Sequence, residues 1–166
     1  MGAEKNRELD IWAEKSFQIK HHSYVDIIGL LKSLPQWFNN MGYDFYEKGL
    51  TEKDIGTGDQ IESEWTASKE VTEYIQYTME IAIVAKDVRK VVLEDGEVTY
   101  WARLLITFKT KFVKDFQKKY NEHVWYEKFM REFYERYVVQ DDLKKYIGKL
   151  VVESLDLTAV MKSYLK

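Results

Sequence analysis

A chain of 166 residues suits one domain that buries about 70% of the surface its unfolded form exposes. Its 45% hydrophobic and 32% charged residues exclude extensive disorder, and a formal charge of −3 excludes a wholly nucleic-acid-binding surface while leaving room for a local basic patch. The lack of cysteine excludes disulfides, thiolate metal sites and thiol catalysis.

No apolar run approaches the ~20 residues of a membrane span, and the charged start Met1 to Asp10 has no signal-peptide core, so a cytoplasmic protein is expected. Abundant Lys, Glu and Tyr with a single proline suit a thermophile.

The first expected element is a strand from about Glu14 to His22, with Phe17, Ile19 and His21 on one face. Ser23 is placed to cap a helix, with Asp26 at its third position and Tyr24, Ile27, Ile28, Leu31 and Leu34 at helical spacing. Pro35 breaks or restarts that helix, so a second short piece from Pro35 to Met41 ends at Gly42. Tyr43 to Leu50 reads as a strand, Gly56-Thr57-Gly58 as a turn, and Gln60 to Ser68 as a strand with Ile61, Trp65 and Ala67 on one side.

Thr72 to Phe116 reads as one long hairpin. Odd positions are apolar from Ile75 to Leu93, even positions from Val98 to Phe112, and the parity switches at Asp95-Gly96. A two-residue type I′ turn there pairs residues whose numbers sum to 191, placing Ile83 opposite Phe108, Met79 opposite Phe112 and Leu93 opposite Val98. The same register sets Glu80 opposite Lys111 and Lys90 opposite Trp101. It leaves Asp87 and Arg89 on the apolar face, as a polar anchor in a cavity unless a bulge near Lys86 turns both to water.

Beyond the hairpin, a helix beginning at Asn121 or Glu122 carries the stripe Tyr126, Phe129, Met130, Phe133, Tyr134 and Tyr137, expected in the core. Asp141 or Asp142 caps a long last helix whose apolar face holds Leu143, Ile147, Leu150, Val151, Leu155, Thr158, Met161 and Leu165. Strands of about twenty residues must coil, so the expected fold is α+β: a curved antiparallel sheet of order β-α-β-β-β-β-α-α packed against helices.

This order, with Ser23 to Met41 as inserted helices, Gln60 to Phe116 as sheet and Asp141 to Lys166 as a gripped helix, resembles the helix-grip fold of the START and Bet v 1-like superfamily. The helix from Glu122 to Tyr137 departs from the family pattern. The resemblance implies a hydrophobic ligand held between sheet and helix.

Catalytic signatures are missing: no nucleophile elbow, P-loop lysine motif or zincin histidine pair occurs, so a non-enzyme is favoured and no cofactor is expected. His21, His22 and His123 do not define a metal site by spacing, and Glu62 and Glu64 fall on a polar strand face. The favoured function is binding of a hydrophobic small molecule or lipid by Tyr77, Met79, Ile81, Tyr100, Leu104 and Phe108, with Asp87 and Arg89 as polar contacts. The alternative is binding of nucleic acid or an acidic protein through the other hairpin face, which carries Lys86, Lys90, Arg103, Lys109 and Lys111 with Trp101, Val84, Val88, Val92 and Leu105.

Overall fold

A computed structural model describes residues 8–10, 16–54, 56, 58–120 and 124–166. The expected strand start at Glu14, Thr57 of the turn, the helix start at Asn121 or Glu122, and His123 lie outside these residues. The fold is α+β. Its strands are β1 (Glu8–Asp10), β2 (Phe17–Val25), β3 (Asp44–Asp54), β4 (Asp59–Glu70), β5 (Ile75–Val92) and β6 (Val98–Lys114). The helices are α1 (Ile27–Met41), α2 (Trp125–Phe133), which passes into a π-helical turn at Tyr134–Val138, and α3 (Gln140–Ser163).

Among the described residues all strands join one antiparallel sheet. β3 to β6 form a meander, and β1 and β2 share the outer edge of β6, β1 at Val113 to Lys111 and β2 at Phe108 to Tyr100. The first strands therefore flank the last one, and the sheet curves with the C-terminal helix on its concave side. That arrangement is compatible with a helix grip.

Alternation along β5 and β6 selects the concave face. Tyr77, Met79, Ile81, Ile83 and Ala85 from β5 and Leu104, Ile106, Phe108 and Phe112 from β6 are buried. Leu30, Leu34 and Phe38 of α1 and Leu150, Leu157 and Met161 of α3 complete the same core. A fully buried side chain of this size contributes about 1.5–3 kcal/mol, so this row is the main source of stability.

The register of the hairpin differs from the expected one. Ile83 lies opposite Ile106, Met79 opposite Thr110 and Val92 opposite Val98; Glu80 meets Lys109, and Trp101 meets Arg89 instead of Lys90. Leu93, expected opposite Val98, belongs to the turn. Its N–H donates to Glu97 O at 2.9 Å while its carbonyl accepts from Gly96 N–H at 2.9 Å, so three residues make the loop. Gly96 has φ +85° and Asp95 is not among the positive-φ residues, so only the glycine adopts the left-handed conformation. A type I turn closed by such a glycine spares Asp95 the strain of a type I′ turn. This shifts pairing by one place, and a bulge between Lys86 and Arg89 shifts it again, restoring the core face below it.

Helix α1 is continuous, not two pieces. Asp26, not Ser23, is its N-cap, with its carboxylate accepting from Gly29 N–H at 2.9 Å, while Ser23 stays in β2 opposite Ala102. Pro35 lies inside the helix. The end at Gly42 is as expected: φ is +74°, and Tyr43 N–H returns to Phe38 O at 2.9 Å.

The C-terminal elements differ most. No side chain caps α3, which follows the π turn through Val139. Of its expected inward face, Leu150, Thr158 and Met161 are buried and Leu143, Ile147 and Leu165 pack against the core, whereas Leu155 is exposed and Glu153, Ser154 and Leu157 are buried beside them. The stripe on α2 is not core. Tyr126, Phe129, Met130, Phe133 and Tyr137 are exposed, and Arg131 is the buried residue of that helix.

Candidate functional site

The bulge in β5 organises the site. Asp87 takes φ +54°, a conformation rare for non-glycine residues, in which Asp is among the better tolerated. The extra residue turns Asp87 to the convex side, where its carboxylate pairs with the Arg103 guanidinium, and rotates Val88 inward, where it is buried. Arg89 follows onto the side of Trp101. The two polar residues that alternation alone assigns to the apolar face thus leave it, and a valine takes their place.

Gly58 makes room for the bulge. A Cβ at Gly58 would stand 3.0 Å from the Asp87 backbone, and its φ of +151° also favours glycine. Asp59, the next residue, begins β4 opposite Val88.

Under α1, the inward Val88 helps to line a cleft of about 260 Å³. Ile27, Ile28 and Leu31 of α1 form one wall, and Leu50, Ile61 and Tyr100 of three strands join Val88 in the other. Glu52 and Asp59 supply its carboxylates, both exposed. The exposed Ile28 and Leu50 make an apolar lip.

Of the eight residues expected to contact a ligand, Tyr100 lines this cleft. Tyr77, Met79, Ile81, Leu104 and Phe108 are packed in the core, each no more than 2% exposed, and Asp87 and Arg89 sit at the bulge. Ile27, Ile28, Leu31, Leu50 and Val88 were not expected here. Ile27, Ile28 and Leu31 carry a helical pattern in the sequence, but which wall they face depends on how α1 crosses the sheet.

A polar seam runs through the contact between α3 and the sheet. Tyr43 Oη donates to Glu153 Oε2 at 2.6 Å, Lys69 Nζ reaches Glu153 Oε1 at 3.2 Å, and Tyr77 Oη donates to the Tyr146 carbonyl at 2.7 Å. Burial, reinforced by the Glu153 carboxylate, raises the Tyr43 phenol well above its ordinary value; burial likewise raises Tyr77. At the far end of the sheet, Tyr74 Oη donates to Glu135 at 2.6 Å, and Lys114 Nζ reaches the other Glu135 oxygen at 2.6 Å. Burial followed by the Glu135 bond raises Tyr74 too. These groups tie elements together and line none of the clefts described.

The convex face has its own groove of about 510 Å³, with Lys20, His22, Lys86 and Arg103 around Val84 and Leu105. Glu62 also lines it. Val88 is absent from this face because of the bulge, and Lys109 stands opposite Glu80. Among the described residues no group of His, Asp and Glu could hold a metal ion, and no helix is long and apolar enough to cross a membrane.

No protein family, curated protein or solved structure matches this chain.

Proposed function

We propose that the protein is a helix-grip-like binding module that takes an apolar small molecule into the cleft between α1 and the bulged end of the sheet. The observation that carries this reading is the inward rotation of Val88, which completes an apolar wall with Leu50, Ile61 and Tyr100 facing Ile27, Ile28 and Leu31. Apolar concavities with a few polar groups at the margin are the usual form of small-molecule sites. At about 260 Å³ the cleft suits a compact ligand. Glu52 and Asp59 repel a carboxylate headgroup, so a neutral or cationic apolar molecule fits better than a fatty acid.

The test is titration with Nile red, a neutral apolar fluorophore, alongside native mass spectrometry of the purified protein. Leu31→Trp, which fills the cleft, is expected to abolish the fluorescence enhancement while the circular dichroism spectrum stays unchanged. Equal affinity in the two proteins overturns the reading.

A second reading rests on the convex groove, where Lys20, His22, Lys86 and Arg103 surround apolar Val84 and Leu105. It makes that face a docking surface for nucleic acid or an acidic protein, with binding that weakens as salt rises. Glu62, Glu80 and the Asp87 partner of Arg103 dilute its positive charge, which ranks it second.

A further inference from the structure

Helix α2 is inside out. Its single buried residue is Arg131, which reaches Glu135 of the π turn at 3.7 Å, and Glu135 in turn holds Tyr74 and Lys114 of the sheet. Tyr134 joins this anchor by an edge-on ring contact with Tyr74, with centroids 5.4 Å apart. The ionic side of the helix thus faces the body of the protein, and the aromatic side faces out.

The outward side is one line. Trp125, Phe129, Phe133 and Tyr137 recur at intervals of four and are 80%, 57%, 47% and 69% exposed. Rings of Phe129 and Phe133 lie 6.4 Å apart and those of Phe133 and Tyr137 4.9 Å apart. The π turn bears on this alignment, since its slower rotation per residue keeps Tyr137 in line with Phe133. Exposed Tyr126, Met130 and Val138 widen the line into a patch.

We propose that this face is a two-fold interface with a second copy of the chain, its α2 helices crossing antiparallel along the aromatic line. Three observations select that occupant. Aromatic residues bury roughly 150–250 Å² each, so a patch of this composition and exposure offers on the order of 800 Å², the share of one partner in a standard dimer and more than a monomer ordinarily leaves in water. From Trp125 to Val138 the charges balance, with Glu127, Glu132 and Glu135 against Lys128, Arg131 and Arg136, so two copies meet without net repulsion. Along one flank Lys128, Glu132 and Arg136 alternate in sign at intervals of four, so an antiparallel isologous contact offset by one such step sets Glu132 of each copy against a cation of the other. A bilayer-binding helix instead carries an excess of Lys and Arg on its polar side, and this segment has none.

Light scattering coupled to gel filtration of the full chain tests this. The wild type is expected to run at twice the chain mass, and Phe129→Glu with Tyr137→Glu at the chain mass with an unchanged circular dichroism spectrum. A second variant, Lys128→Glu with Arg136→Glu, alters exposed flank charges and leaves the aromatic line in place; it is expected to weaken the dimer at low salt and recover as salt rises. A wild type that stays monomeric at high concentration, a dimer that survives both charge variants, or a monomer that floats with phosphatidylcholine and phosphatidylglycerol vesicles overturns the proposal.

Discussion

Tyr43, the second residue past α1, donates a 2.6 Å hydrogen bond to Glu153, a carboxylate buried on α3. Lys69, near the end of β4, holds the other Glu153 oxygen at 3.2 Å and places its ammonium 5.1 Å from the centre of the Tyr43 ring. Three elements distant in sequence meet at one carboxylate. Tyr43→Phe is expected to lower stability by about 1.5–3 kcal/mol, the usual worth of a hydrogen bond to a charged acceptor. Tyr43→Phe and Lys69→Met together should cost more than the two single changes combined, because the double change leaves Glu153 buried without either partner. Urea unfolding of the three variants measures this, and simple additivity would count against the coupling.

The buried phenols predict an alkaline limit. Tyr43, Tyr74 and Tyr77 are all raised above the ordinary value of 10.0 by burial, with Glu153 or Glu135 adding to the effect. A raised acid binds its proton more tightly in the folded state, so its stabilisation is complete below pH 10 and is lost as pH rises from there towards the folded value. Stability should therefore fall above about pH 10, by at most about 1.4 kcal/mol per pH unit for each of the three tyrosines. Ultraviolet titration of phenolate absorbance should show three of the twelve tyrosines ionising late, together with unfolding.

The bulge predicts a pattern of tolerance at two positions. Asp87→Asn keeps a side chain that accepts positive φ and should change stability by less than ~1 kcal/mol, whereas Asp87→Val should cost about 1–2 kcal/mol. Gly58→Ala sets a methyl 3.0 Å from the Asp87 backbone and is expected to destabilise more than Gly49→Ala, where the added atom meets nothing and φ is not positive. Thermal melts of the four proteins check the ordering; equal melting temperatures for the two alanine variants would contradict the close approach.

The lip of the cleft separates binding from folding. Ile28 and Leu50 are exposed, so Ile28→Asp and Leu50→Asp should each move stability by no more than ~0.5 kcal/mol while weakening Nile red binding. Loss of fold in either variant would show that these side chains are structural.

Reversal of Lys20 and Lys86 to Glu, both in the convex groove, distinguishes that face from the cleft. If that face binds nucleic acid, the reversal removes salt-sensitive binding and leaves Nile red affinity unchanged. Binding to labelled RNA that is indifferent to the reversal eliminates this face.

Which elements form is legible along the chain, because strand alternation, the helical spacing of α1, the Gly42 stop and the Asp95-Gly96 turn are local signals. Period-two alternation also marks the core row from Ile75 to Ala85 and its partners from Leu104 to Phe112. Local pattern ends where a contact distant in sequence sets the geometry. The bulge at Asp87 depends on the close approach of Gly58, and it exchanges Asp87 for Val88 on the inner face. The inward side of α3 includes Glu153 and Ser154, which are polar and break the apolar rhythm, since their partners Tyr43 and Thr110 belong to other elements. The aromatic line on α2 has the spacing of a core helix and faces outward because Arg131 and Glu135 are held by Tyr74 and Lys114. Periodicity reports that a helix has two unlike sides; which side turns inward is decided by the groups waiting there.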